Sequence, residues 1–106
     1  MASTVAVIGI LAASATLVAG LSAVGAAAIH SQRLAGAADT SALAAADTVT
    51  GLAAGDPCDR AADLAATAGA SVAACDIDGF VVTVTVTARF GVFATSATAR
   101  AGPPPG

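Results

Sequence analysis

Two cysteines, one histidine and two of the seven aspartates are the first candidates for an active site or a metal centre in this sequence. Cys58 and Cys75 are its two thiols, His30 is its single imidazole, and Asp76 and Asp78 lie beside a Gly that favours a turn. The thiols could form a disulfide, stay reduced and buried, or supply one reactive group. The two aspartates suit ordinary turn chemistry or a weak calcium site, and we predict the former.

This inventory is too small for the common kinds of active site. Zinc is usually held by about four ligands, and Cys58, Cys75 and the distant His30 are fewer. No second catalytic group accompanies Cys58, and a phosphate-binding loop needs the Lys that the sequence lacks. We interpret His30, at the end of an apolar segment, as an interfacial polar residue. The sequence therefore predicts a protein that is not an enzyme and uses no cofactor or metal.

The charge pattern argues against a nucleic-acid partner. The 106 residues have a net charge of −3 and room for one domain at most. Nucleic-acid binding needs clustered cations. The cationic residues are all arginines and are scattered along the chain: Arg33, Arg60, Arg89 and Arg100.

The opening part of the chain is long and uncharged. No charged side chain lies between Ala2 and Ile29, and this length exceeds the roughly 20 residues that a helix needs to cross the hydrocarbon core. We predict a transmembrane helix over residues 1–29, surrounded by membrane lipid. A cleaved secretory signal, cut within Ala26–Ala28, is one alternative, although no Lys or Arg precedes the apolar run. A buried helix of a soluble protein is the other, although so short a chain could hardly enclose it.

Small residues recur at four-residue spacing within this segment. Such rows let helix backbones approach closely in a bilayer, so these are candidate helix–helix packing positions in a homo- or hetero-oligomer. The alternative is that an Ala-rich composition produces them without a function. The rows are Ala12, Thr16 and Gly20, and Ala19, Ala23 and Ala27.

Two signals disagree about the orientation of this helix. Arg33 alone would place the rest of the chain in the cytoplasm by the positive-inside rule. A disulfide between Cys58 and Cys75 would need the oxidising side of the membrane. We give the cysteines more weight than a single Arg, and predict a single-pass protein of the cell membrane with an extracytoplasmic head.

The helical pattern continues beyond the membrane segment, over residues 30–54. Leu43 breaks it, because this apolar side chain lies on the polar side of the helix between Asp39 and Asp47. The common interpretation is a lone exposed Leu; the alternative is a contact for another subunit, with Leu43 and Asp39 as its candidate residues. The regular apolar positions share one face, typical of a core-facing helix: Leu34, Ala38, Ala42, Ala45, Val49 and Leu52.

A second helix and three strands follow. Gly55-Asp56-Pro57 predicts a helix over residues 57–68, because Asp suits the N-cap and Pro the first turn. After Gly69 the apolar period changes from helical to alternating, and Asp78-Gly79 predicts a hairpin turn. The predicted strands cover about residues 70–76, 80–90 and 95–101, before a disordered Pro/Gly tail over 102–106.

The expected fold class is α+β. A long helix, first transmembrane and then amphipathic, should carry a short second helix and a three-stranded antiparallel β-meander packed on its apolar stripe. These elements form a small head over residues 30–101. All three Phe lie in the predicted sheet, so we expect the strands to supply most of the bulk of the core. A Cys58–Cys75 disulfide would stabilise this head by roughly 3 kcal/mol.

The order of these pieces resembles one known family. The segment from Arg33 to Ala46, directly after an apolar span, resembles the juxtamembrane signature of TadE-like pilin-related proteins. The remainder is similar to the short actinobacterial branch of that family, with Gly55-Asp-Pro-Cys58 opening a helix, a later Cys before an Asp-Gly hairpin, an alternating Val/Thr strand and the terminal Ala99-Arg-Ala-Gly-Pro103. The resemblance implies a pilin-like fold and a minor pilin or pseudopilin of a tight-adherence (Tad) pilus or secretion system. Its partners would be other pilin-like or secretion-platform subunits.

Two other functions stay open at this point. A cleaved apolar segment would leave a small secreted, disulfide-bonded binding domain. An uncleaved segment in the opposite orientation would give a membrane-anchored regulator with a cytoplasmic head. Both share the fold expected above and differ in the fate or direction of residues 1–29.

Overall fold

Two helices and three strands follow one another in the computed structural model, which describes residues 2–104. Helix α1 comprises Ala2–Val49, and helix α2 comprises Pro57–Thr67. The strands are β1 Ser71–Asp78, β2 Val81–Phe90 and β3 Phe93–Ala101, paired antiparallel in the order β1-β2-β3. The predicted α+β fold, with the sheet packed on the long helix, is therefore confirmed. The molecule measures 75 × 30 × 17 Å, and 48 residues of α1 at about 1.5 Å each account for the long dimension.

Helix α1 ends five residues earlier than the sequence predicted. The chain leaves the helix at Gly51, whose φ of +86° favours Gly. The Gly51 amide donates to the Thr48 carbonyl and the Leu52 amide to the Asp47 carbonyl, which is the hydrogen-bond pattern of a Schellman motif. The assignment of Leu52 to the buried stripe was therefore wrong, and its side chain is 82% exposed.

Helix α2 begins as its sequence predicts. The Asp56 carboxylate accepts hydrogen bonds from the amides of Cys58 at 2.9 Å and Asp59 at 3.2 Å. These amides have no partner within the helix, so the Asp56 side chain caps them. The other end closes at Gly69 with φ +73°, and the predicted bounds of 57–68 are correct to within one residue.

Both hairpins turn through two residues of which the first is Gly. Asp78 pairs with Val81 and Phe90 pairs with Phe93, which leaves Gly79-Phe80 and Gly91-Val92 as the loops. Gly79 has φ +63° and Gly91 φ +62°, a backbone that strongly favours Gly at this position. The predicted turn at Asp78-Gly79 is displaced by one residue, so that β1 extends to Asp78 and β2 begins at Val81. The second two-residue loop lets β3 begin at Phe93, two residues earlier than predicted.

A bulge in β1 determines which way Cys75 faces. Val72 pairs with Val86, but Ala74 pairs with Thr85, so Ala73 is an extra residue in the strand. The side-chain alternation shifts at a bulge, and Cys75 therefore points to the same face of the sheet as Val72. Without this bulge the thiol would lie on the face away from the helices.

The core lies between α1, α2 and the inner face of the sheet, and it consists mostly of alanine. Its bulkiest fully buried apolar side chains are Val82, Val84 and Val86 on the central strand. The strands do supply the bulk, but not through Phe: Phe80 is 59% exposed and Phe93 is 67% exposed. The remaining buried apolar residues are Leu34, Ala37, Ala38, Ala42, Ala45, Ala46, Ala61, Ala65, Ala70, Ala99 and Ala101.

The chain remains packed just beyond β3. A Cβ added at Gly102 would lie 2.9 Å from Val81 Cγ2 and 3.0 Å from the Phe80 carbonyl oxygen, so only Gly fits this approach. Residue 102 is thus held against the first hairpin rather than being the start of a disordered tail. The prediction for 105–106 falls outside the described residues.

Candidate membrane and assembly surfaces

The N-terminal part of α1, residues 3–29, is not buried against the rest of the described chain. By length and composition α1 qualifies as a membrane-spanning helix, and its most apolar window is not buried against the head. Every side chain from Ser3 to Ile29 is exposed. The large apolar side chains among them are Val5, Val7, Ile8, Ile10, Leu11, Leu17, Val18, Leu21, Val24 and Ile29.

One hydroxyl in the middle of this segment, that of Thr16, is hydrogen-bonded within the helix. Thr16 Oγ1 donates to the Ala12 carbonyl oxygen at 2.9 Å. An unpaired hydroxyl in an apolar environment would cost about 1–3 kcal/mol. This bond makes Thr16 compatible with lipid.

The two rows of small residues form a single surface. At 3.6 residues per turn, both rows fall within roughly 100° of the helix circumference. We call this surface, made of Ala12, Thr16, Ala19, Gly20, Ala23 and Ala27, the small-residue face. The opposite side, which we call the aliphatic face, carries Ile10, Leu11, Leu17, Val18, Leu21 and Val24.

The small-residue face lies directly below the folded head. His30 follows Ala12 by about five turns of a helix with 3.6 residues per turn, so the two point in the same direction. The same spacing relates Thr16 to Leu34 and Gly20 to Ala38, which are buried in the core. A helix packed on the small-residue face would therefore lie underneath the sheet and α2.

The end of the head nearest the apolar segment, the His30 end, is fixed by a side-chain contact. His30 Nε2 lies 2.7 Å from Thr95 Oγ1, and the imidazole lies against Phe90 with ring centroids 4.9 Å apart. These groups join α1 to β2 and β3. Sequence reasoning placed His30 at a boundary but missed this contact, because its partners lie more than 50 positions away and nothing local specifies them.

The opposite end of the head, the Val49 end, carries an exposed apolar patch. Leu43 is 58% exposed, and it lines a shallow depression together with Leu52 and Pro103. Asp47 and Thr50 line the polar side of the same depression. Asp39, one turn before Leu43 on the same side of α1, is also exposed. The depression thus contains Leu43, which the sequence singled out, and Leu52, which the sequence placed in the core.

The two cysteines form a disulfide that joins α2 to the edge strand β1. The Cα atoms of Cys58 and Cys75 lie 6.0 Å apart, and the bridge closes a sequence separation of 17 residues. Both cysteines are half-buried. The bulge at Ala73 is what directs Cys75 toward α2.

Metal-ligating side chains do not converge in the part of the chain that is described. Across residues 2–104, no three His, Cys, Asp or Glu side chains lie close enough to share a metal ion. Asp76 and Asp78 pair with Thr83 and Val81 at the end of β1, so they flank the Gly79-Phe80 turn as the sequence predicted.

Comparison with known proteins does not place the chain in a group. No protein-family model, curated protein or solved structure matches it. Three surfaces of the molecule bear on its function. They are the exposed apolar part of α1 (residues 3–29), the small-residue face on the side of α1 that also carries the head, and the patch at the Val49 end.

Proposed function

We propose that this chain is a membrane-anchored structural subunit that assembles through its long helix. The observation that carries the proposal is the division of α1 into an exposed apolar part, residues 3–29, and a part that packs the head. The resemblance to TadE-like proteins supports a more specific role as a minor pilin or pseudopilin of a Tad-type pilus or secretion system. In that role the protein would be neither an enzyme nor a nucleic-acid binder.

The energy of the exposed apolar part supports a location in lipid. Burying one Val, Leu or Ile side chain is worth about 1.5–3 kcal/mol. The ten exposed Val, Leu and Ile side chains between Val5 and Ile29 would therefore cost on the order of 15 kcal/mol or more in water. A typical domain has a total stability of about 5–15 kcal/mol. An aqueous environment for this segment would therefore cost as much as a whole fold provides.

The small-residue face supports assembly by helix–helix contact. In a bilayer there is little hydrophobic drive for helices to associate, so close backbone packing at small residues becomes important. Gly20 has open space around it within the monomer, which leaves room for a neighbouring helix. That helix would lie on the side of α1 that also carries the sheet and α2. One neighbouring subunit could therefore contact both the small-residue face in the membrane and the head outside it.

A pair of matched substitutions tests helix assembly. Gly20 lies on the small-residue face and Gly25 on the opposite side, and neither has another atom near its missing side chain. We expect Gly20→Leu to weaken self-association or capture by other subunits in bilayers, measured by energy transfer between labelled chains. Gly25→Leu should leave association unchanged. Equal effects of the two variants would contradict assembly through this face.

The disulfide supports an extracytoplasmic head, since such bonds persist on the oxidising side of a membrane. Labelling with an impermeant maleimide tests this in intact cells. We expect Cys58 and Cys75 to react from outside only after reduction. Labelling that requires permeabilised cells but no reductant would instead favour a membrane-anchored regulator with a cytoplasmic head.

One observation favours a second candidate, a secreted binding domain. The buried core begins at Leu34, so cleavage near Ala28 would leave the head and its disulfide intact. Mass spectrometry of the native protein separates the two functions. A mature N-terminus near Ala28 would establish the secreted form and overturn the anchor, whereas an intact apolar segment in the membrane fraction would support the anchor.

A further inference from the structure

The hairpin between β2 and β3 lies at the His30 end of the head, next to the apolar part of α1. Phe90, at the end of β2, contacts the His30 ring, and the Gly91-Val92 loop extends one step beyond Phe90 along the strand direction. His30 directly follows Ile29, the last residue of the uncharged run. If the apolar part of α1 spans a bilayer, this loop therefore lies at the level of the bilayer surface.

The tip of this hairpin exposes two large apolar side chains. Val92 is 86% exposed and Phe93 is 67% exposed, although nothing in a two-residue turn requires apolar residues there. The hairpin at the Val49 end exposes Phe80 as well, but that loop is far from the apolar part of α1. The position of Val92 and Phe93 beside the membrane segment gives their exposure a physical reason.

The charges around the hairpin complement an anionic surface. His30, Arg33 and Arg89 line one depression at the His30 end, and no carboxylate of the described residues lines it. The next acidic residue along α1 is Asp39, about 9 Å farther from the membrane segment than Arg33. Guanidinium groups bind phosphate through paired hydrogen bonds, so this depression suits lipid phosphate.

We propose that the β2–β3 hairpin is a second membrane contact of this protein. Val92 and Phe93 enter the interfacial layer of the bilayer, and Arg33 and Arg89 bind anionic lipid headgroups beside them. This inference rests on the proposed function, because it requires the apolar part of α1 to be in the bilayer. Attachment at both the helix and the hairpin would hold the head in one orientation above the small-residue face.

Tryptophan fluorescence tests the contact directly, because the chain contains no Trp or Tyr of its own. The full-length variants Leu17→Trp, Phe93→Trp and Leu52→Trp would each be placed in phosphatidylcholine/phosphatidylglycerol vesicles whose acyl chains carry bromine, which quenches nearby Trp. Position 17 reports on the span, position 93 on the hairpin, and position 52, exposed at the Val49 end, on the distal head. Any preference of Trp itself for the interface acts equally at positions 52 and 93.

We expect strong quenching at position 17, clear quenching at 93 and none at 52. An unquenched position 17 would show that α1 is not in the bilayer, which is a failure of the proposed function. Quenching at 17 together with equal signals at 93 and 52 would overturn the hairpin contact alone. Blue-shifted emission at 93 without quenching would also overturn it, because the residue would then be buried against protein.

The headgroup contact is tested by changing charge in the Phe93→Trp background. We expect Arg89→Gln to reduce quenching in vesicles that contain phosphatidylglycerol and to have little effect in phosphatidylcholine alone. The matched control is Arg100→Gln, since Arg100 is exposed near the Val49 end, opposite Thr83. Equal effects of the two substitutions, or quenching that does not depend on lipid charge, would overturn the role assigned to the arginines.

Discussion

His30 Nε2 lies 2.7 Å from Thr95 Oγ1, and Thr95 Oγ1 lies 2.7 Å from the Ala88 carbonyl oxygen. A hydroxyl has one proton to donate. Because Thr95 gives that proton to the carbonyl, its oxygen must accept the hydrogen bond from His30. The proton of a neutral His30 is therefore on Nε2. This chain of two hydrogen bonds links the start of the head in α1 to both β2 and β3.

Thr95→Val should lower the free energy of unfolding by about 1–2 kcal/mol, because it leaves the His30 Nε2 proton without its acceptor. Thr95→Ser keeps the hydroxyl and should lose less. The matched control is Thr98→Val, which removes an exposed hydroxyl bond to Thr85 on the outer face of the sheet. Urea unfolding of the full chain in detergent micelles, followed by circular dichroism, measures all three. A loss for Thr95→Val no larger than that for Thr98→Val would contradict the role of His30.

Much of the fold could be predicted because local rules agree with the global structure. The apolar stripe of α1 places Leu34 in the core, and Asp56 caps α2 as its position before Pro57 predicts. The alternation of β2 correctly places Val82, Val84 and Val86 on the buried face. In each case the type of the residue and its spacing from its neighbours are compatible with only one position in the fold.

The failures arise where several local signals compete. Both Gly51 and Gly55 can end a helix, and only the hydrogen bonds to Asp47 and Thr48 decide in favour of Gly51. The bulge at Ala73 has no local signal, because Ala fits either register. The contact between His30 and Thr95 depends on how the sheet lies against α1, which no short segment specifies. Two of these failures affect the candidate surfaces: Leu52 was placed in the core although it is exposed, and the contact of His30 with Thr95 was missed.

Ser41→Ala should stabilise the protein by about 1 kcal/mol or more. Ser41 is fully buried in α1, and its hydroxyl has no hydrogen-bond partner among residues 2–104. Removing a buried unsatisfied hydroxyl recovers part of its desolvation cost, and Ala is also the better helix former. Ser31→Ala, at an exposed position of the same helix, measures the second effect alone. The gain at position 41 should exceed that at 31 in the same urea titration, and an equal gain would indicate that the Ser41 hydroxyl is satisfied.

Replacing both Cys58 and Cys75 by Ala should lower the free energy of unfolding by roughly 3 kcal/mol, because the loop in the unfolded chain is no longer closed. The Ala-rich core leaves little apolar burial to compensate for this loss. Reduction of the wild-type protein should reproduce most of the effect, and the double variant should not respond to reductant. An unchanged urea midpoint for the double variant would argue against a stabilising bridge.

Leu43→Asp should leave the fold intact but weaken association with partner subunits. Leu43 is exposed beside Leu52 and Pro103, so the substitution buries no charge in the monomer and replaces an apolar contact by a second carboxylate beside Asp47. Thr98→Asp introduces the same charge at an exposed position on the outer face of the sheet, away from this depression. Cross-linking in native membranes should fall for Leu43→Asp only. Yields equal to wild type would mean that the patch at the Val49 end is not an interface.

Two Gly→Ala substitutions should have effects of opposite sign. Gly91 has φ +62° in the β2–β3 hairpin, where an L side chain is strained, so Gly91→Ala should destabilise the protein by about 1 kcal/mol. Gly36 lies in the interior of α1 with open space around it, so Gly36→Ala should stabilise by about 0.5–1 kcal/mol. Both variants lose the same backbone freedom in the unfolded state, so the difference between them isolates the hairpin geometry. Stabilisation by both would mean that the loop can adopt another turn, and the fixed position of Val92 beside the apolar part of α1 would then be lost.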